Sequence, residues 1–162
     1  MTTIGFASCF DASALLKLYV DERGSELLRE YWNTHSTKFT TSICFYETLN
    51  LLKVCHFYRK TMSLEQYKSH TLNLAAWYGA SSGKIPEPSF LSPEVFFAAQ
   101  RTAEKHSLDL SDAFQIHSIK NGFFSVLAGE SRTLLVSADA KLVAAARAEG
   151  VRAWSILDES PP

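Results

Sequence analysis

Cysteine is scarce and poorly spaced for metal chemistry. The chain has three, Cys9, Cys44 and Cys55, and no two form a Cys-x-x-Cys pair. Structural zinc sites draw on such paired ligands, so this spacing argues against one. The odd count and the apolar neighbours suit reduced thiols in a core, and with them a cytoplasmic setting. Long apolar runs are also missing: none approaches the ~20 residues of a membrane helix. The opening Met1-Thr2-Thr3-Ile4-Gly5 lacks the basic region of a secretory signal, so neither membrane insertion nor export is expected. There is no excess of positive charge: 16 Lys and Arg face 17 Asp and Glu, a formal net charge of −1. Nucleic-acid binders usually carry a basic surface, so phosphate would have to be held locally, through a bound cation and a few basic side chains. Lys53, Arg59 and Lys60 cluster at one helix end, where the plainer reading is an ordinary solvated surface. Repeats, low-complexity tracts and interdomain linkers are absent as well.

What remains is an ordinary globular composition, 46% hydrophobic and 20% charged over 162 residues, enough for one domain with a real core. We expect a single domain over residues 1–157 and a frayed tail over 158–162. Residues 4–10 form an apolar run that predicts a buried strand. Residues 12–20 predict a helix, with Leu15, Leu16, Leu18 and Tyr19 on its apolar side. Asp21-Glu22-Arg23-Gly24 breaks that helix, and Ser25 is placed to cap a second over residues 26–33. Residues 39–42 are Thr-rich and β-like. Residues 43–58 have helical spacing, with Cys44, Glu47, Leu51, Val54, Cys55 and Tyr58 on one stripe. Ser63 and Gln66 have capping-box spacing ahead of a helix to about residue 78. Residues 79–92, rich in Gly, Pro and Ser, predict a loop. Ser92-Pro93 starts a helix to residue 106. Asp109 and Ser111 compete to cap a helix over residues 112–121, ended by Gly122. A strand over 133–137, a helix over 141–149 closed by Gly150, and a strand over 151–156 complete the series. Strand–helix alternation at both ends predicts an α/β fold: three layers, α/β/α, around a short central parallel sheet.

Four acids sit where acids are awkward. Asp11 follows the first strand, Glu47 interrupts an apolar stripe, Asp112 lies in the first turn of its helix, and Asp139 follows a strand. In open α/β sheets, ligands gather at the carboxyl ends of the strands where strand order reverses. Asp11 and Asp139 would emerge on that edge, and Glu47 and Asp112 could point toward it. Crowded carboxylates repel one another unless protons or a cation neutralise them, and an all-oxygen set suits Mg2+ or Mn2+. Capping alone accounts equally well for Asp11, Asp112 or Asp139 taken singly. Glu47 resists that account, because an unpartnered acid on an apolar helix face is costly to bury, although Lys53 or Arg59 could pair with it.

The blocks Phe10-Asp11-Ala12-Ser13-Ala14-Leu15 with Lys17-Leu18-Tyr19, Thr41-Ser42 with Glu47, Leu110-Ser111-Asp112-Ala113-Phe114, and Leu135-Val136-Ser137-Ala138-Asp139 with Leu142 and Ala145-Ala146 follow one another along nearly the whole chain. So does the tail Glu149-Gly150-Val151-Arg152-Ala153. Together they resemble a PIN domain, and within that group the VapC-like toxins of toxin–antitoxin pairs. The resemblance implies a PIN-like fold and a Mg2+- or Mn2+-dependent endoribonuclease. It implies that Asp11, Glu47, Asp112 and Asp139 bind metal and activate water. It places Ser13 and Ser137 near small polar positions of the site, where local turn and cap bonding is an equal reading. Asp109, one turn before Asp112, is a supporting acid or a helix cap. An RNA substrate, a cognate antitoxin and a homodimer are implied partners, with the helices over 12–20 and 43–58 as contact surfaces. The longer Pro- and Ser-rich section over 77–93 departs from a compact toxin, so a housekeeping RNA-processing PIN nuclease is an alternative. A non-catalytic RNA- or protein-binding module is another.

Other chemistries fit less well. His117 and His56 lack zinc-helix spacing with the acids. Gly79-Ala80-Ser81-Ser82-Gly83-Lys84 lacks the glycine spacing of a phosphate loop. Asp11-Ala12-Ser13 lacks the second acid of an aspartate-nucleophile phosphatase. No nucleophile elbow surrounds any serine.

Overall fold

The structure is a computed structural model that describes residues 7–34, 37–127 and 133–162. Among these, four short strands pair in one all-parallel sheet: β1 (Ala7–Phe10), β2 (Thr37–Phe39), β3 (Thr133–Ser137) and β4 (Arg152–Ser155), in the order β2-β1-β3-β4. Every residue of β1 and β3 is buried, as central parallel strands covered on both faces must be. Side chains alternate between those faces. Ala7, Cys9 and Leu135 meet Ile116, Ile119, Leu142 and Ala146 on one side. Phe10, Leu134 and Val136 meet Ala14, Leu15, Leu28 and Trp154 on the other. The expected three-layer α/β/α arrangement is therefore present.

The helices that cover the sheet are α1 (Ala12–Leu16), α2 (Ser25–Trp32), α3 (Ser42–Phe57), α4 (Leu64–Ala80), α5 (Pro93–His106), α6 (Leu110–Asn121), α7 (Phe123–Leu127) and α8 (Ala140–Ala148). Ser63 and Gln66 form the expected capping box, and Pro93 opens α5 at its first turn. Several boundaries differ from the sequence expectation. The first helix stops at Leu16 rather than residue 20, because the amides of Lys17, Leu18 and Tyr19 reach carbonyls three residues back and tighten the turn. Ser25 is inside α2, not its cap. Its hydroxyl donates to the Val20 carbonyl (2.7 Å) and accepts from the Glu22 amide (3.1 Å). β2 ends at Phe39 rather than running to 42, because Thr41 caps α3 through the Cys44 amide. α7 was not expected, and residues 79–92 are not all loop. A 3-10 turn over Ser82–Lys84 lets the Ser82 hydroxyl bridge the Thr40 amide (2.9 Å) and carbonyl (3.1 Å). Nor does the tail fray at residue 158: Ser155 donates to Asp158, Arg147 pairs with Glu159 at 2.7 Å, and the Trp154 indole donates to the Glu159 carbonyl. The N-terminal part of the first predicted strand, residues 4–6, lies outside the described residues.

The turn into α2 depends on Gly24. Its φ of +87° lies in the left-handed region, and a Cβ there would stand 2.8 Å from Ile156 Cγ2. Gly24→Ala should therefore cost about 1–2 kcal/mol and lower the Tm by about 4 °C in a domain of this size. Thermal melts check this; an unchanged Tm would mean the turn relaxes freely.

Candidate active site

The chain leaves β1 for β2 at one edge of the sheet and later returns to β3 on β1's other side, so strand order reverses between β1 and β3. A crevice opens at the carboxyl ends of two strands with this relation. Asp11 stands there, one residue past β1, with its amide bonded to the Val136 carbonyl (3.2 Å). Asp11 is buried, with 4% of the residue exposed. Oδ1 accepts from the Ala14 amide (2.8 Å) and the Ser13 hydroxyl (2.8 Å), and Oδ2 accepts from the Ser137 hydroxyl (2.7 Å). Both serines are themselves fixed: Ser13 Oγ accepts from the Ala138 amide (3.0 Å) and Ser137 Oγ from the Asp139 amide (2.9 Å). The two hydroxyls thus clasp Asp11 between the ends of β1 and β3. Burial still wins over these donors and pushes the Asp11 carboxyl up to about 6, with the Asp139 charge adding to the rise.

Asp139 is exposed and caps α8, its Oδ1 accepting from the amides of Lys141 (2.8 Å) and Leu142 (3.2 Å). Helix capping is therefore real for Asp11 and Asp139, and it leaves Asp139 Oδ2 without a hydrogen bond among the described residues.

Asp112 is different. It lies half-buried in the first turn of α6, and among the described residues its carboxylate accepts no hydrogen bond and meets no cation. Burial first, then the charges of Asp11, Asp139, Glu47 and Asp109, push it up to about 7. The other three acids singled out from the sequence, Asp11, Glu47 and Asp139, therefore all act on Asp112, with Asp109 beside them. Asp109 is the N-cap residue of α6 but makes no side-chain cap bond; it is exposed and adds only charge. Glu47 is half-buried on the flank of α3. The buried stripe of that helix is Cys44, Thr48, Leu52 and Cys55, so Glu47 borders the apolar face rather than interrupting it. Among the described residues it pairs with neither Lys53 nor Arg59.

The donor set is all oxygen and carries no internal counter-charge, which fits a hard divalent cation. The fit is chemical more than geometric: among the described residues, no three such side chains are already drawn together into a metal cage. Side-chain rotation at Asp112 and Glu47, which no hydrogen bond among the described residues holds, would have to close it. Thiol chemistry is disfavoured at the same place. Burial pushes Cys9 up to about 12 and Cys44 well above its ordinary value, and a protonated, buried thiol is inert.

Two supporting residues escaped the sequence reading. Glu87 takes the Ser42 amide (3.0 Å) and hydroxyl onto its carboxylate, closing the N-terminus of α3 beside the site. The Lys141 ammonium donates to the Ser107 carbonyl, tying the start of α8 to the turn that carries Asp109 and Asp112. Both bonds span more than thirty positions, and no local pattern marks them.

The pKa shifts set a pH dependence. Asp11 and Asp112 titrate higher in the fold than in the unfolded chain. The fold therefore binds more protons than the unfolded state between about pH 4 and 7, and its stability falls as pH rises through that window. Without divalent ions the Tm should drop from about pH 5 to about pH 8. Asp112→Asn should remove much of that drop, worth about 1–2 kcal/mol after allowing for its partial exposure, or about 3–6 °C at the alkaline end. Parallel pH profiles of wild type and variant would show that Asp112 is not the strained acid.

Against known proteins, no family model matches the sequence, and no curated protein matches it either. The fold is similar to the crystal structure of PAE2754 from Pyrobaculum aerophilum. The two chains share 19% identity and a TM-score of 0.53, over 93% of this chain and 92% of that one. At that identity the likeness carries the architecture: an α/β chain with a central parallel sheet flanked by helices.

Proposed function

We propose that this chain is a Mg2+- or Mn2+-dependent endoribonuclease of the PIN-domain group, VapC-like in its sequence blocks, acting as the toxin of a toxin–antitoxin pair. The observation that carries the reading is Asp112: a half-buried, unpaired carboxylate on which Asp11, Asp139, Glu47 and Asp109 all press, at the switch point of the sheet. Asp11, Asp112, Asp139 and Glu47 would hold the ion, which when bound neutralises a phosphodiester and lowers the pKa of a water. Ser13 and Ser137 fix Asp11 in one rotamer, and the cap bonds of Asp139 fix one of its oxygens while the other stays available. Burial holds the Cys9 and Cys44 thiols well above their ordinary range, so neither suits a nucleophile, and the proposed attack is by water.

The capping roles of Asp11 and Asp139 also suit a non-catalytic RNA- or protein-binding module. Purified protein, stripped of any co-purifying partner, decides between the two when incubated with RNA in Mg2+ or Mn2+ and in EDTA. Ion-dependent cleavage is expected. Cleavage that survives EDTA, or none with any ion, sinks the nuclease reading. An antitoxin and a homodimer belong to the same proposal. Of the two helices expected to carry such contacts, α1 is buried at Ala12, Ala14, Leu15 and Leu16 and presents no free face. Only α3 does.

A further inference from the structure

The exposed face of α3 runs from the acid cluster to a group of cations. Tyr46, Asn50, Lys53 and Phe57 recur at helical spacing, directly opposite the buried stripe Cys44, Thr48, Leu52 and Cys55. Tyr46 is 70% exposed, Phe57 47% and the adjoining Tyr58 72%. These rings are not loose. Tyr46 packs on Phe45 (centroids 5.5 Å), which is stacked on Tyr78 of α4 at 4.1 Å. Phe57 is braced edge-on by His56 (4.5 Å) and by Tyr67 of α4 (5.5 Å). Lys53 lies between the two platforms, and Arg59 and Lys60 follow at the helix end. Among the described residues none of these three cations makes an ion pair or side-chain hydrogen bond. Lys60 also holds a left-handed φ of 57° in the turn to α4.

A purely apolar partner fits this face poorly, because the centres of protein interfaces are depleted in lysine and here the centre is Asn50 and Lys53. Rigid exposed rings alternating with unpaired cations are what single-stranded nucleic acid requires: faces for bases, charge for phosphates. The stripe begins at Tyr46, adjacent to Glu47, and extends about 16 Å along the helix to Phe57. We infer that the outer face of α3 is the track on which single-stranded RNA lies as it enters the acid cluster. This rests on the nuclease reading, and it names the substrate form: unpaired RNA, bases on Tyr46 and Phe57, phosphates at Lys53, Arg59 and Lys60.

The probe is a fluorescein-labelled, unstructured RNA of about 12 nucleotides, titrated by anisotropy in EDTA, with its duplex as comparator. Wild type should prefer the single strand. Tyr46→Ala and Phe57→Ala should each weaken binding about tenfold. Replacing Lys53, Arg59 and Lys60 by Ala should lower the slope of log K against log salt by about 2, near 0.7 per phosphate contact. All five side chains face solvent, and melts should show the fold unchanged. No binding by wild type, equal binding of the duplex, or variants that bind like wild type would each overturn the inference. So would variants whose only change is in sedimentation, which would make the face a contact between protein chains. Ion-dependent cleavage is scored separately on the same RNA. A wild type that cuts while Tyr46→Ala binds normally would retain the nuclease reading and discard the track. A wild type that binds along α3 but never cuts would do the reverse.

Discussion

Asp11→Asn should lower ion-dependent RNA cleavage by about a thousandfold, the scale of losing one preorganised electrostatic group, while the protein stays folded. The contrast between the two effects is the point. Asp11 is the most enclosed of the four acids, and the fold carries its charge against the cost of burial, which is why it titrates near 6. An asparagine removes that cost. Its amide can still meet Ser137 and Ser13, whose hydroxyls reorient, and its oxygen can still accept from the Ala14 amide. The Tm should therefore hold or rise slightly at neutral pH, and Mn2+ should no longer raise it. For wild type, ion binding should stabilise by mass action, more strongly as pH rises from about 6 to 8 and the carboxylates lose their protons. Undiminished cleavage by Asp11→Asn, with an unaltered Mn2+ response, would show that the acids at the switch point do not act together.

Phe10→Ala should have the largest effect on stability, about 3–5 kcal/mol for an aromatic truncated in a packed core, or about 10 °C in Tm. Phe10 is fully buried. Its ring meets Trp32 edge-on at 4.8 Å and Tyr31 at 6.4 Å, in the cluster that also holds Leu28 and Trp154. Its carbonyl accepts from Thr40 at 2.6 Å, tying the end of β1 to the end of β2. The residue that anchors one face of the sheet thus directly precedes Asp11. Loosening it should broaden the geometry of the Ser13–Asp11–Ser137 clasp as well. A loss below about 1 kcal/mol by urea titration would mean that the core is organised elsewhere, since such a truncation normally exceeds that.

The sheet and its covering helices were legible because their signals are local. Residues 133–137 centre on the apolar Leu134-Leu135-Val136 and form β3 as predicted, and Ser63 with Gln66 and Pro93 mark helix starts by chemistry acting over three residues. Boundaries set by distant partners were not legible. β2 stops early because Thr40 and Thr41 are claimed by Phe10, Ser82 and the first turn of α3. The C-terminal residues hold to Glu159 because Arg147 and Trp154 reach them. At the site, the positions of Asp11 and Asp139 beyond apolar strands were readable, since the pattern of β1 and β3 fixes which edge they occupy. The behaviour of Asp112 was not: its strain arises first from burial in the fold and then from charges that three distant segments bring to it, with Asp109 one turn away. Glu47 was read as buried within a stripe, whereas a helical rotation of less than half a turn puts it at the border.

β1 finds its inner neighbour only when β3 is made, and the bond from Ser137 to Asp11 spans 126 positions. Contacts this remote form slowly, and during synthesis β3 leaves the ribosome long after β1. A nascent chain that has already displayed Asp11 and Glu47 still lacks the strand that positions Asp139. The proposed nuclease would thus stay silent beside the very RNA-rich machine that makes it, until β3 has been made and has paired with β1.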